Sequence, residues 1–119
     1  MPDLPLVVTV VPHENSSVRL LVLAGPLTLG NMFEFQSLVR ADDARGTIID
    51  MTAVPYVDSA GIGCLVGAQL FHQRNSRNLA LVGVNQRVRN VLKITAVETL
   101  FTLHSSLEEA SSATRGANA

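Results

Sequence analysis

Residues 57–63 read VDSAGIG: an aspartate and a serine side by side, then glycines at 61 and 63, set between the apolar runs VPYV and CLV. Such a group could be a nucleophile, a metal ligand or the start of a helix, or Ser59 could itself be acted on by another protein. The nucleophile reading lacks its frame. A nucleophile elbow needs Gly-x-Ser-x-Gly, and Val57 stands at its first position. A hydrolase also needs a histidine base, and His13, His72 and His104 are scattered outside any motif. A dinucleotide fingerprint wants a glycine three positions after Gly63, where Val66 stands, and the Gly-Lys-Ser/Thr of a P-loop is absent. Asp50 and Asp58 form a single carboxylate pair with no further acid or histidine nearby, a poor metal site that is better explained as a strand end and a cap. No catalytic constellation emerges, and neither a metal nor a cofactor is expected.

Two readings of Ser59 remain. Asp and Ser are preferred helix caps, because their oxygens accept from the free N–H groups of the first turn. A cap alone does not account for the apolar run Val54, Pro55, Tyr56, Val57 before it. A cap inside an apolar collar presents its hydroxyl, and the field of a helix N-terminus favours a negative group there.

The elements that must position this segment follow from patterning. LPLVVTVVPH (4–13) and VRLLVLAG (18–25) are β-branched runs joined by the turn ENSS, a hairpin. Met32, Phe33, Phe35, Leu38 and Val39 have helical spacing over 29–40, with Asn31 as cap. The loop ADDARG leads to TIIDM (47–51), a strand covered on both faces. A helix follows over about 59–75, then the strand NLALVGV (78–84), a helix capped by Asn85 through Ile94, the short strand LFTLH, and a last helix starting at SSLEEA. Strands alternating with helices predict one α/β domain: a mixed, mostly parallel sheet of about five strands with about four helices. The domain is expected over 1–110, and the small polar tail 111–119 is expected to fray.

On a helical wheel Ile62, Leu65, Val66 and Leu70 form one face, Cys64, Ala68 and Phe71 point elsewhere, and Gly63 and Gly67 sit together on a third side. Gln69, His72 and Gln73 break the apolar surface. A surface helix carries one apolar stripe, whereas this one is apolar nearly all round. Either it is enclosed, or part of it awaits a partner. The expectation is that Ile62, Leu65 and Val66 pack on the sheet while Gly63 and Gly67 are partly exposed.

The chain of 119 residues is one domain in size, with 47% hydrophobic residues but only 4% aromatic, so its core must be aliphatic. No apolar run reaches the length of a membrane span, MPDLPLVV lacks a basic leader, and a single cysteine forms no internal disulfide, which together predict a cytoplasmic protein. A formal charge of −1 disfavours nucleic acid as the partner. Between Ser59 and Val97 there is no acid, yet Arg74, Arg77, Arg87, Arg89 and Lys93 all fall there, a basic stretch able to assist docking of an acidic partner.

The segment from TIIDMTAVPYVDSAGIG to NQRVRNVLKITAVETLF resembles the central region of STAS domains of the bacterial anti-sigma factor antagonist type. It shares a strand ending in Asp, a hydrophobic loop, Asp-Ser-small-Gly and a small-residue helix. VLAGPLTLGN is similar to the family's second strand and the turn after it. The resemblance implies a mixed five-stranded α/β domain that binds an anti-sigma factor serine kinase, is phosphorylated on Ser59 and is restored by a serine phosphatase. It is then a substrate and switch rather than an enzyme. Many members carry an acid where this chain has Thr28 in GPLT. The partner surface expected on this basis comprises Asp58, Ser59, Ala60, Gly61, Gly63 and Gly67, with Arg89 and Lys93 assisting. The alternatives are a STAS-like adaptor of a transport or signalling complex without a phospho-switch and, further off, an enzyme with Ser59 as nucleophile.

Overall fold

A computed structural model describes residues 5–11, 17–41 and 44–117. Strands β1 (Val7–Val11), β2 (Val18–Ala24), β3 (Gly46–Ala53), β4 (Asn78–Val82) and β5 (Thr102–His104) form one sheet in sequence order. β1 runs antiparallel to β2, and the remaining neighbours are parallel. The expected mixed, mostly parallel sheet is what forms. Much of the ENSS turn and both aspartates of ADDARG lie outside the described residues.

Helices α1 (Met32–Arg40), α2 (Ser59–Arg74) and α3 (Gln86–Ile94) each join one parallel strand to the next, and α4 (Leu107–Ala117) follows β5. The first three share one face of the sheet. Leu21, Leu23, Ile49 and Leu81 meet Phe35 and Val39 of α1, Ile62 and Leu65 of α2, and Val88 and Leu92 of α3 there. The opposite face, with Val18, Leu20, Ile48, Ala80 and Val82, is covered by α4 through Ala110. β3 is apolar on both faces because it lies at the centre of both layers. The helix α4 continues through the polar stretch after residue 110 as far as Ala117.

Local chemistry sets the helix starts. Asn85 caps α3 by accepting from the Val88 N–H at 2.8 Å, and Ser106 accepts from the Glu109 N–H at 3.1 Å. Asn31 does not cap α1 with its side chain. Its Oδ1 accepts from the Thr28 N–H at 2.8 Å and its Nδ2 donates to the Pro26 carbonyl at 2.7 Å, so the amide closes the turn before the helix instead.

Polar groups also cross the larger core. Arg19 of β2 is buried and donates to the Leu38 and Val39 carbonyls at 2.6 and 2.8 Å. Its cation thus meets the negative end of α1. Its Nε donates to Thr47 Oγ1 at 3.3 Å, and Thr47 Oγ1 lies 3.0 Å from His72 Nε2. His72 Nδ1 is 2.8 Å from the Ala68 carbonyl, which can only accept, so Nδ1 carries the proton and Nε2 accepts from the Thr47 hydroxyl. A neutral imidazole therefore completes this chain. Burial is the main cause holding His72 below its ordinary pKa, and the Arg19 and Arg77 charges add to it against the opposing Ala68 hydrogen bond.

Because the folded form resists protonation, the unfolded chain binds more protons between the lowered value and 6.5. Stability contributed by His72 should be complete above pH 6.5 and should fall as the pH drops below it. Urea midpoints measured from pH 7.5 to 5 should decline for the wild type. His72→Asn, less stable at neutral pH, should decline less over the same window. Parallel declines in the two proteins would remove His72 as the cause.

Candidate functional site

Ser59 occupies the first helical position of α2, and the cap is Asp58. The Asp58 carboxylate holds two segments together. Its Oδ1 accepts from the Gly61 N–H at 2.8 Å, and its Oδ2 accepts from the Leu29 N–H at 3.1 Å. One oxygen thus satisfies an orphan donor of α2, while the other ties down the connection between β2 and α1. Backbone pairing reinforces the junction: Leu27 N–H donates to Tyr56 O at 3.2 Å, and Asp58 N–H donates to Leu27 O at 3.3 Å.

Gly61 is fixed by this closeness. A Cβ built on it would lie 2.1 Å from the Leu27 carbonyl oxygen, so any side chain would push the two segments apart. Gly63 and Gly67 are different. Nothing lies within 4 Å of a Cβ at either position. Ser59 and Gly63 are exposed, Ala60 and Gly67 are half-buried, and Leu70 is exposed farther along the helix. With spacings of 4, 4 and 3, Ser59, Gly63, Gly67 and Leu70 form an open stripe along α2.

The rest of α2 is accounted for. Ile62 and Leu65 are buried on the sheet and Val66 is half-buried against the same cluster, as expected. Cys64 and Ala68, placed by the helical wheel away from that face, are buried too, in a narrow cleft shared with Gln36, Val39 and Arg40 of α1. α2 is apolar nearly all round because it packs on both the sheet and α1. Burial raises the Cys64 thiol pKa, and the nearby Arg40 charge only partly opposes this.

The apolar collar has a structural cause. Val54 and Val57 are core residues, and Asn85 Nδ2 donates to the Val54 and Pro55 carbonyls, at 3.2 Å each. Val54 and Val57 therefore fill the core rather than framing a hydroxyl, while Pro55 is exposed and Tyr56 half-buried. Two apolar side chains that the pattern had not marked out do stand open nearby. Leu29, whose N–H is held by Asp58, is 59% exposed, and Phe33 at the start of α1 is 61% exposed. Phe33 lies one and two residues from Met32 and Phe35, which pack inward, so it points off their side of α1.

This arrangement of sheet, collar and capped small-residue helix has a family counterpart: residues 9–110 match the STAS domain. The chain belongs to the STAS-domain family. It is 27% identical over 81 residues to the anti-sigma-B factor antagonist of Staphylococcus aureus, an alignment covering 68% of this chain and 75% of that protein. Its fold is similar to the crystal structure of an anti-sigma factor antagonist from Mycobacterium paratuberculosis, with a TM-score of 0.81 at 19% identity, covering 92% of this chain and 94% of that one. It is also similar to the Bacillus cell fate determinant SpoIIAA in the phosphorylated form, with a TM-score of 0.70 at 14% identity over 89% of this chain and 97% of that one.

Within this STAS domain the basic stretch divides in space. Arg74 and Arg77 lie at the far end of α2, about 22 Å from Ser59 at the rise of a helix. There the Arg77 and Arg40 guanidiniums flank the Phe71 ring at 5.8 and 5.6 Å. Arg89 and Lys93 are exposed on α3, and Arg89 pairs with Glu98 at 3.1 Å. Arg87 reaches the collar itself, with its guanidinium 5.0 Å from the centre of the Tyr56 ring. Thr28 is buried beside the junction rather than presented. Asp50 accepts from the Thr52 N–H and hydroxyl at 2.9 and 2.6 Å, as a strand-end carboxylate. Among the described residues no group of three or more His, Cys, Asp or Glu is placed to hold a metal, and no helix is long and apolar enough to cross a membrane.

The glycines separate structure from function. Gly61→Ala should destabilise the domain by about 2 kcal/mol or more, because the clash is with backbone. Gly63→Ala should stabilise it by up to about 1 kcal/mol through helix propensity. Thermal unfolding of both variants checks this, and similar shifts in both would remove the Leu27 contact as the reason for Gly61.

Proposed function

We propose that this STAS domain is an anti-sigma factor antagonist whose binding is switched off by phosphorylation of Ser59. The single observation that carries the reading is the exposed Ser59 hydroxyl at the first position of a helix whose cap is supplied by a different residue, Asp58. The hydroxyl is free for modification because the fold does not need it as the cap. Similarity to proteins named as anti-sigma factor antagonists, and to one solved in a phosphorylated form, supports the same reading.

The partner in this reading is an anti-sigma factor that is also a serine kinase, with a serine phosphatase reversing the mark. It docks on the stripe of Ser59, Gly63 and Gly67, with Asp58, Ala60 and Gly61 shaping the helix start. The open glycines admit a close approach of the partner backbone, and exposed Leu29 and Phe33 offer apolar anchors beside it. Arg89 and Lys93 contribute charge at the rim, where they affect association rate and salt dependence more than affinity. The domain acts by binding and is not itself a catalyst.

A phosphoserine adds about 1.5 to 2 negative charges. At the α2 N-terminus these meet free N–H groups and the positive end of the helix, a stabilising contribution of about 0.3 to 2 kcal/mol, while the adjacent Asp58 carboxylate opposes them. The fold tolerates this balance in water. A packed partner would have to strip water from an under-compensated dianion, which is costly.

Ser59→Asp should therefore melt within a few degrees of the wild type yet bind the kinase at least tenfold more weakly. Ser59→Ala should bind, keep its melting temperature because Asp58 is the cap, and accept no phosphate. Binding by titration calorimetry and radiolabel incorporation with the purified kinase decide the matter. Wild-type affinity in Ser59→Asp, or continued incorporation in Ser59→Ala, would overturn the switch.

A further inference from the structure

β1 is the outer strand of the sheet, and β2 pairs with all five of its residues from Val7 to Val11. A strand turns half of its backbone N–H and C=O groups to each side, so β2 takes one set and the other faces outward. Among the described residues no strand pairs with that outer side. β5, at the opposite edge, has only three residues. Native sheets protect a longer edge with charged side chains or a bulge. VVTVV carries no charge, and its register with β2 is unbroken. Pro5 and Pro12 bound the run without interrupting it.

The side chains of this edge are uncovered as well. Val7 is 56% exposed and Val10 is 49% exposed. They belong to opposite faces of the sheet, because side chains alternate along a strand. Val8, on the face of Val10, packs against the larger core, and Val11, on the face of Val7, packs against the core under α4. VVTVV also reads the same in both directions. Laid antiparallel on a second copy about Thr9, it sets Val7 opposite Val11, Val8 opposite Val10 and Thr9 opposite Thr9. Each exposed valine then meets, on its own face, a valine already packed on the other copy's core. β-branched side chains suit such a ladder, a Thr–Thr pair adds to it, and no like charges are opposed.

We propose that two copies of this chain pair through β1, antiparallel and centred on Thr9, into one continuous sheet with five strands from each copy. The contact is isologous, so one pairing covers both outer edges at once. A second copy is the occupant that the edge selects. A foreign strand would satisfy the same backbone groups, but only a copy of this one brings the symmetric set of side chains. At about 3.4 Å per residue the ladder is about 17 Å long. It buries well below the roughly 1,200 Å² of a stable interface, so the dimer is weak, with a Kd on the order of 0.1 mM. The contact uses none of the α2 residues assigned above to the partner and does not rest on the reading of Ser59.

Sedimentation velocity of the full chain from about 10 μM to about 1 mM, tenfold either side of that constant, reads the association. The wild type should move from monomer towards dimer over this range. Thr9→Lys, a change at an exposed position, should weaken self-association at least tenfold, because the two-fold axis sets the two lysines against each other. Thr9→Glu alone should do the same, and an equimolar mixture of the two variants should associate again. Val7→Lys, also at an exposed position, should weaken association as strongly and serves if the Thr9 variants do not fold. Folded variants that associate like the wild type, or a mixture that stays monomeric, would overturn the proposal. So would a wild type that is monomeric throughout, which would leave the edge to an extended strand of another protein.

Discussion

The carboxylate of Asp58 is the constraint on which the rest of the site depends. It accepts from Gly61 and from Leu29, and so joins the first turn of α2 to a segment that belongs to a different crossover. Both bonds are charge-assisted, since the acceptor is a carboxylate. The close approach they hold is tight enough that only glycine fits at position 61. With that junction set, the Ser59 hydroxyl, the open glycine stripe and the exposed Leu29 acquire a fixed mutual geometry.

α2 is the central helix in more than position. Its buried residues pack on the sheet and on α1, while one stripe stays open to solvent. A small domain can rarely enclose a helix completely, and here the first two turns of the open stripe carry only Ser59, Gly63 and Gly67, with Leu70 farther along. Gly63 and Gly67 cost helix stability, and the packing of Ile62 and Leu65 offsets that cost. The backbone of α2 is consequently accessible to another molecule along the line that starts at Ser59.

Polar side chains inside the fold mark where layers are joined. Arg19, Thr47 and His72 link β2, β3, α1 and α2 through hydrogen bonds that leave the imidazole neutral. Asn85 joins α3 to the collar before Ser59, and Arg87 stacks on Tyr56 in that collar. The end of the sheet that bears Ser59 is thereby braced from two sides. At the β5 edge of the sheet, β5 pairs with β4 only from Ala80 to Val82.

The sequence by itself determined the element order, the mixed sheet and the helix start at VDSAGIG, because these rest on local periodicity and on capping chemistry that acts within a few residues. Asn85, Ser106 and the Asp58–Ser59 pair were legible as helix starts for that reason. Tertiary structure decided what has no local signature. Asp58 rather than Ser59 is the cap, and the second oxygen of the same carboxylate holds the Leu29 N–H, 29 residues away. The apolar collar was legible as hydrophobic but not as core, since Val54 and Val57 are buried by strands and helices distant in sequence. The basic stretch from Arg74 to Lys93 was one feature in the sequence and two in space, because β4 runs between Arg74 and Arg77 before it and Arg87, Arg89 and Lys93 after it. Phe33 counts among the apolar residues of α1, but its place beside Met32 and two before Phe35 sets it off the face that packs on the sheet.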